Sequence, residues 1–217
     1  MTTPLKVVLA THNQGKIREL AEPLRALGVE LVGLDAFPEI GEIEEDGTSF
    51  AENALIKAIS VAEATGLVAI ADDSGLEVDA LDGRPGVWSA RYADDLEAVE
   101  GESRDRRNMR KLLMEMQDVP EEKRAARFVC CMAAVAPARL DPDDMLVVQG
   151  FWEGRILFEP VGDNGFGYDP VFLDLESGTS AAQLTREQKL SKSHRGNAVR
   201  QILESWPEWV KSLKLAD

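Results

Sequence analysis

The sequence has few of the residues that bind transition metals or form disulfides. It contains two cysteines, Cys130 and Cys131, and two histidines, His12 and His194. The cysteines are adjacent in the apolar run RFVCCMAAVA, where neighbouring strand residues point to opposite faces and cannot readily bridge. Neither residue type occurs at the spacing typical of zinc ligands. These absences argue against a zinc site, a disulfide-stabilised fold and a nucleophilic cysteine.

Long hydrophobic runs and an excess of positive charge are also missing. No run approaches the roughly 18 apolar residues of a membrane span, and no charged-then-apolar leader opens the sequence. We therefore expect a soluble cytoplasmic protein with no membrane partner. With 39 acidic and 24 basic residues, the formal net charge is −15, which disfavours a nucleic-acid polymer as partner. A small anion is not excluded, since a few cations or a bound divalent metal set the field inside a cleft.

The order of apolar segments predicts an α/β fold. No internal repeat, low-complexity tract or linker divides the 217 residues, which indicates a single folding unit. Strand-like and helix-like segments alternate in the first half, and Pro23 is expected to kink the first helix or displace its start. Two long strand-like segments then follow, ARFVCCMAAVA and MLVVQGFWEGRIL, and are predicted to pair antiparallel. Helix character returns after Ser193. The pattern favours a mixed central β-sheet flanked by helices.

A first group of polar residues follows the strand-like run KVVLA. Thr11, Asn13 and Lys16 bring hydroxyl, amide and ammonium groups to a predicted helix N-terminus, where free N–H donors favour an anion. The spacing of a phosphate-binding P-loop is absent, because Gly15 stands alone before Lys16. The alternative is that Asn13 only caps the helix and Lys16 is solvated.

A second group follows the apolar run LVAIA. Asp72, Asp73 and Ser74 are predicted at the carboxyl end of a strand, where open α/β sheets bind ligands. Paired acids there suit a hard cation such as Mg²⁺, and the alternative is that Asp73 or Ser74 caps a helix or turn. LEVDAL, just beyond, is predicted to be a separate strand.

An acidic loop and the helix after it offer further polar groups. The loop holds Glu44, Glu45 and Asp46, and a carboxylate from it could reach the same cleft as Asp73, although such a run is also typical of a solvated loop. The helix is predicted from the capping-box spacing of Ser49 and Glu52 and from its apolar stripe. On it Asn53 and Lys57 share one face, and the alternative for Lys57 is an ordinary exposed lysine.

Two segments near the C-terminus complete the candidates. GFGYDP places two glycines around Phe166, so that the backbone could approach a flat ligand and the ring could lie against it. SHRG places His194 and Arg195 at the start of the last predicted helix. Each signal is weak alone, because Gly-aromatic turns are frequent in plain β-structure.

Taken together, these segments resemble the inosine triphosphate pyrophosphatase family, in its bacterial form. The matching segments occur in the family's order and span nearly the whole chain: LATHNQGKIREL, EEDGTSFAENALIKA, AIADDSGLEVDAL, GVWSARYA, GFGYDPVF and LTREQKLSKSHRG. The resemblance implies one domain over residues 1–217 with two lobes and a central cleft, usually a homodimer, dependent on Mg²⁺. It implies hydrolysis of ITP, dITP, XTP and dXTP to a nucleoside monophosphate and pyrophosphate.

The resemblance also implies roles for individual residues. Asp73 and Lys57 would be catalytic, and Glu45 and Asp73 would bind the metal, with Asp72 nearby. His12 departs from many relatives, which have glycine there. The implied nucleotide contacts are Thr11, His12, Asn13, Gln14, Gly15, Lys16, Ser74, Phe166, Gly167, Tyr168, Asp169, Lys189, His194 and Arg195.

Two other functions stay open on the sequence. A pyrophosphatase for pyrimidine or modified nucleotides is disfavoured, because THNQGK stands where a Ser-rich, arginine-bearing motif is expected. A nucleotide-binding protein without hydrolysis is disfavoured by the acids Glu45 and Asp73 together with Lys57.

Base selectivity has a physical explanation. An N–H donor from His194, Arg195 or a backbone amide would bond the C6 carbonyl of hypoxanthine or xanthine and oppose the amine of adenine.

Overall fold

The computed structural model describes residues 4–137 and 139–213. The strands are β1 (Leu5–Leu9), β2 (Val29–Gly33), β3 (Val68–Val78), β4 (Ala125–Val135), β5 (Leu146–Ile156), β6 (Phe172–Asp174) and β7 (Thr179–Ser180). The α-helices are α1 (Gln14–Ala26), α2 (Phe50–Thr65), α3 (Arg104–Glu115), α4 (Arg186–Lys192) and α5 (His194–Ser212). No helix in this described part of the chain combines the length and apolar character that crossing a bilayer requires.

The strands form one mixed sheet in the order β2-β1-β3-β4-β5-β6-β7. β1 pairs in parallel with β2 and with β3, so that Val8 lies opposite Val32 on one side and Ala69 on the other. β6 pairs antiparallel with β5 and with β7. The predicted α/β fold with a mixed sheet is therefore confirmed, and the two long apolar strands β4 and β5 are neighbours.

The chain divides into two compact units. Unit 1 is drawn from Met1–Asp73, Cys131–Gln149 and Ala198–Asp217, and unit 2 from Ser74–Cys130 and Gly150–Asn197. The core of unit 1 includes apolar residues of β1, α2 and β3, among them Val7, Val8, Ala58, Val61 and Ile70. The core of unit 2 is a cluster that includes Leu76, Leu112, Met116, Phe128, Trp152 and Phe172.

One helix prediction was wrong in part. Pro23 does not displace the start of α1, which begins at Gln14 and continues through Pro23 to Ala26. Proline inside a helix costs about 3 kcal/mol, but Leu20 and Leu24, on either side of it, are 4% and 0% exposed. Burying two leucines gains about 1.5–3 kcal/mol each, which offsets that cost.

Helix α4 lies in a segment that the sequence analysis did not assign to a helix. Its N-terminus is a capping box, in which Thr185 Oγ1 accepts from the Gln188 amide at 3.2 Å and Gln188 Oε1 accepts from the Thr185 amide at 2.9 Å. The T-x-x-Q spacing was the available signal. Gly196 lets α5 follow closely, because a Cβ there would collide with the carbonyl oxygen of Leu190.

Asp174, the last residue of β6, is a buried carboxylate in unit 2. It accepts hydrogen bonds from Trp152 Nε1 at 2.9 Å, the Ser177 amide at 3.0 Å and Lys192 Nζ at 2.8 Å. Burial alone raises the pKa of Asp174, but the hydrogen bonds from Lys192, Ser177 and Trp152 outweigh it and hold the pKa below its ordinary value.

We expect this cluster to make the protein less stable in acid. Because the pKa of Asp174 is lower in the folded chain, its ionised carboxylate adds to the free energy of unfolding. This contribution is complete above the unfolded-chain pKa of about 4 and is lost as the pH falls through the folded pKa. Asp174→Asn should lower the Tm at neutral pH and flatten the acid branch of the Tm against pH. Scanning calorimetry over that pH range measures both effects, and an equally steep acid branch in the variant would contradict the assignment.

Candidate active site

Strand β3 carries the acidic pair in its interior, which corrects the prediction of two strands with the acids at a strand end. Most of LVAIA and the first half of LEVDAL belong to one 11-residue strand, Val68–Val78, and the second half of LEVDAL forms a 3-10 turn. The interpretation of Asp73 or Ser74 as a helix or turn cap is therefore wrong. Partners distant in sequence offset the cost of placing polar side chains inside a strand: Asn53 bonds Asp73, and Arg195 Nη2 donates to Ser74 Oγ at 3.2 Å.

Helix α2 brings two polar side chains to Asp73. The hydroxyl of Ser49 caps the helix, as its sequence position predicts. Asn53 Nδ2 donates to Asp73 Oδ2 at 3.0 Å, and Lys57 Nζ lies 3.9 Å from Asp73 Oδ1. Asn53 and Lys57 therefore share the face of α2 that meets Asp73, as their spacing predicted.

The acidic loop before α2 contacts the same lysine. Glu45 Oε2 lies 3.2 Å from Lys57 Nζ, and the Gly47 amide donates to Asn53 Oδ1 at 2.9 Å. The side chain of Lys57 is 12% exposed. Glu45 and Asp73, which the sequence analysis expected to meet, thus converge on one largely buried ammonium group.

The chemistry of these donors fits Mg²⁺. Within residues 4–137 and 139–213, no three His, Cys, Asp or Glu side chains are grouped so that they could hold a metal ion. A pair of carboxylates is nevertheless what Mg²⁺ commonly takes, because it retains water and binds substrate phosphates at its other positions. Glu45 and Asp73 are hard oxygen donors of this kind, and their role as metal ligands stays a prediction.

The segment before α1 is described in part. Thr11 Oγ1 accepts from the Asn13 amide at 3.1 Å, and α1 begins at the next residue. The imidazole of His12 lies outward, with Nδ1 2.8 Å from Asp35 Oδ1. For Gln14, Gly15 and Lys16 only the helical backbone is described, so the predicted phosphate contacts of their side chains lie outside the described residues.

A cavity of about 170 Å³ lies within unit 2. The segments that border it are far apart in sequence and include the second half of β3, the loop before β6, and α4 with the start of α5. All eight nucleotide contacts predicted for unit 2 line it: Ser74, Phe166, Gly167, Tyr168, Asp169, Lys189, His194 and Arg195. The structure therefore brings this predicted set together.

His194 and Arg195 are held firmly at the cavity. The imidazole of His194 stacks on Phe128 with ring centroids 4.9 Å apart and planes at 17°. His194 is 7% exposed. Arg195 is oriented by the hydroxyl of Ser74. Both side chains carry N–H groups of the kind that a purine carbonyl requires.

Asp169 holds the glycine-rich loop in shape. Its carboxylate accepts the Phe166 amide at 2.9 Å and pairs with the ammonium of Lys189. Gly165 has φ +80°, and a Cβ there would collide with this carboxylate. The ring of Phe166 is 64% exposed, and Lys189 Nζ lies 4.8 Å from its centroid. Two predicted nucleotide contacts, Asp169 and Lys189, are thus bonded to each other.

Tyr168 lines the cavity from the core. It is 4% exposed, and its hydroxyl donates to the main-chain carbonyl of Ser89 at 2.9 Å. Burial raises the pKa of Tyr168 well above its ordinary value, so the phenol stays neutral. Because the hydroxyl proton is already used, the ring is the part of Tyr168 that shapes the cavity.

The predicted contacts left out four polar residues that line the cavity: Ser89, Asp105, Asn108 and Ser193. Asn108 accepts from the Ala93 amide and donates to the carbonyls of Ser89 and Ala90, while Asp105 accepts from the Gly167 amide at 2.9 Å. Ser89 lies in the GVWSARYA segment, which was a signal. Asp105 and Asn108 lie on α3 in no recognisable pattern.

Comparison with known proteins assigns the family. The model of the Ham1 family matches residues 7–205. The chain belongs to the Ham1 family. This Ham1-family chain is 58% identical over 205 residues to a dITP/XTP pyrophosphatase of Nitratidesulfovibrio vulgaris, covering 94% of this chain and 97% of the relative. A dITP/XTP pyrophosphatase of Vibrio vulnificus is 47% identical over 203 residues, with coverage of 94% and 97%.

Solved structures agree with the Ham1 assignment. A HAM1 protein from Coxiella burnetii superposes with a TM-score of 0.84 at 40% identity, covering 94% of this chain and 99% of that one. A nucleoside-triphosphatase, or dITP/XTP pyrophosphatase, from Mycobacterium abscessus gives a TM-score of 0.75 at 44% identity, with coverage of 92% and 99%. The resemblance stated from the sequence is confirmed.

Proposed function

We propose that this chain hydrolyses dITP, XTP and related non-canonical purine nucleoside triphosphates, including ITP and dXTP, to a nucleoside monophosphate and pyrophosphate. The observation that carries the proposal is the convergence of Glu45 and Asp73 on Lys57 in a Ham1-family chain. The names and the 58% and 47% identities of the relatives support the substrate class. Such an activity would clear these nucleotides from the cellular pool.

In unit 1, we propose that Asp73 orients a water molecule and takes its proton. Attack on a phosphoryl group requires neutralised charge and an in-line nucleophile, so positioning and electrostatics carry most of the catalysis. Lys57, between the two acids, supplies a fixed positive charge for phosphate oxygens. Thr11 and Asn13, before α1, add donors at a helix N-terminus, where anions are favoured.

We propose Mg²⁺ as the cofactor, held by Glu45 and Asp73. Bound there, the ion supplies charge neutralisation for the phosphates and lowers the pKa of a coordinated water. The support is the chemistry of the two carboxylates, which matches the oxygen ligands that Mg²⁺ prefers.

In unit 2, we propose that the cavity recognises the base. His194 and Arg195 offer N–H groups to the C6 carbonyl of hypoxanthine or xanthine. Adenine presents an amine at C6, so one buried donor would face another and lose its hydrogen bond. A site built to bond a polar group rejects the analogue that lacks it far better than an apolar site does.

We further propose that the protein acts on free nucleotides in the cytoplasm as a homodimer, as the sequence resemblance implies. The net charge of −15 supports a small-molecule substrate over a nucleic-acid polymer. Light scattering coupled to size-exclusion chromatography measures the mass of the assembly, and a monomer would contradict the dimer.

Product analysis tests the activity. We expect pyrophosphate and monophosphate from dITP, ITP, XTP and dXTP in the presence of Mg²⁺, and little turnover of GTP or dTTP. Chelation of the metal should abolish the reaction. Release of orthophosphate, or tight binding without any product, would contradict the proposal, and preferential turnover of dTTP would favour a pyrimidine substrate.

A further inference from the structure

Asn53 connects the acidic loop to Asp73. The residue is 1% exposed, its Oδ1 accepts from the Gly47 amide at 2.9 Å, and its Nδ2 donates to Asp73 Oδ2 at 3.0 Å. The orientation of the side-chain amide follows from chemistry. A main-chain N–H can only donate, so it must meet the amide oxygen, and the NH₂ group is then directed to the carboxylate.

Gly47 is required by this connection. A Cβ at that position would lie 2.6 Å from Asn53 Oδ1 and 2.8 Å from Glu52 Cβ. The missing side chain therefore allows the main chain of the loop to come close enough to bond the amide of Asn53. The glycine of the EEDG segment serves this close approach.

The connection constrains both carboxylates. Glu45 lies two residues before Gly47, in a stretch without helix or strand, so anchoring Gly47 limits where its carboxylate can go. Asp73 is fixed by the other end of the same amide. Two carboxylates near one ammonium group repel each other. The neutral side-chain amide of Asn53 links the loop that carries Glu45 to the carboxylate of Asp73, and so it holds the two carboxylates at a set separation.

A second buried asparagine shows what a purely structural role looks like. Asn108 on α3 is 3% exposed, and its side chain hydrogen-bonds the main-chain groups of Ser89, Ala90 and Ala93. The NH₂ group of Asn53 instead donates to the side chain of Asp73. This difference separates a residue that fixes a reactive group from one that only satisfies the backbone.

We propose that Asn53 is a positioning residue that holds Glu45 and Asp73 at the separation required to bind a divalent cation. The proposal rests on the proposed function, which makes these two acids the metal ligands. Partners that hydrogen-bond metal-binding carboxylates change metal affinity or activity by about 10–100-fold when they are removed. The expected effect on this chain is of that size.

The experiment measures binding of Mn²⁺ alone to the full chain without nucleotide, by electron paramagnetic resonance. Asn53→Ala should weaken binding by at least about tenfold. Gly47→Ala should disrupt the hydrogen bond between the Gly47 amide and Asn53 Oδ1, and it should therefore also weaken Mn²⁺ binding. Amide hydrogen exchange should show lost protection of Gly47 in Asn53→Ala. With dITP, the metal concentration for half-maximal rate should rise, while KM for dITP at saturating metal stays near the wild-type value.

Val61→Ala is the matched control. Val61 is fully buried on the same helix, so its truncation destabilises α2 without touching the polar connection. Mn²⁺ affinity should then stay at the wild-type value although the Tm falls. The proposal is overturned if Asn53→Ala binds Mn²⁺ as wild type does, if Val61→Ala weakens binding equally, or if the wild-type chain binds no Mn²⁺. Wild-type Mn²⁺ binding without dITP hydrolysis would instead overturn only the proposed function.

Discussion

Asp73→Asn is expected to lower kcat for dITP hydrolysis by at least about 100-fold, the usual scale for loss of a general base. The variant keeps the shape of the side chain, and its amide oxygen can still accept from Asn53 Nδ2. What it loses is the negative charge beside Lys57 and the ability to take a proton. The fold should therefore be preserved while the reaction fails.

Steady-state kinetics with pyrophosphate detection measures this effect, and circular dichroism reports the fold. Asp118→Asn is the matched control, since it removes one exposed carboxylate elsewhere in the chain and should leave kcat unchanged. Turnover of Asp73→Asn within a few-fold of wild type would remove Asp73 from the role of base.

Arg124→Met is expected to lower the free energy of unfolding by about 3 kcal/mol or more, because each buried group left without its partner costs about 1–3 kcal/mol. Arg124 is 2% exposed, and burial lowers the pKa of its guanidinium, which still carries its charge at neutral pH. The guanidinium donates to four main-chain carbonyls, those of Ile156, Met116, Val119 and Leu157. Methionine fills a similar volume but supplies no donor to any of them.

Urea unfolding measures the loss, with the exposed Arg106→Met as control. Arg124→Lys should fall between wild type and Arg124→Met, because a single ammonium keeps the charge but cannot span four carbonyls. Equal unfolding midpoints for Arg124→Met and Arg106→Met would show that these hydrogen bonds contribute little.

Local signals in the sequence were enough to predict the elements that depend on them. Helix α2 could be predicted because its cap at Ser49, its apolar stripe and its terminal Gly66 all lie within the segment. The mixed sheet followed from the alternation of segments. By contrast, the continuity of β3 depends on Asn53 and Arg195, whose contacts with Asp73 and Ser74 cross large sequence separations.

In the candidate site, too, some contacts could be predicted from local sequence and others could not. The common face of Asn53 and Lys57 was predictable from helical spacing. The bond from Gly47 to Asn53 and the pairing of Asp169 with Lys189 were not, because they depend on how a loop without regular structure folds back. The family resemblance supplied candidate residues, whereas the contacts among them depend on how distant segments pack in the folded chain.

The continuity of β3 through the acidic pair limits how this part of the chain can change. Side chains on a strand alternate between faces, so a one-residue insertion or deletion would reverse the direction of every side chain on one side of it. Asp73 and Ser74 occupy successive positions of β3. A change in the length of β3 would therefore turn either the carboxylate of Asp73 or the hydroxyl of Ser74 away from its partner.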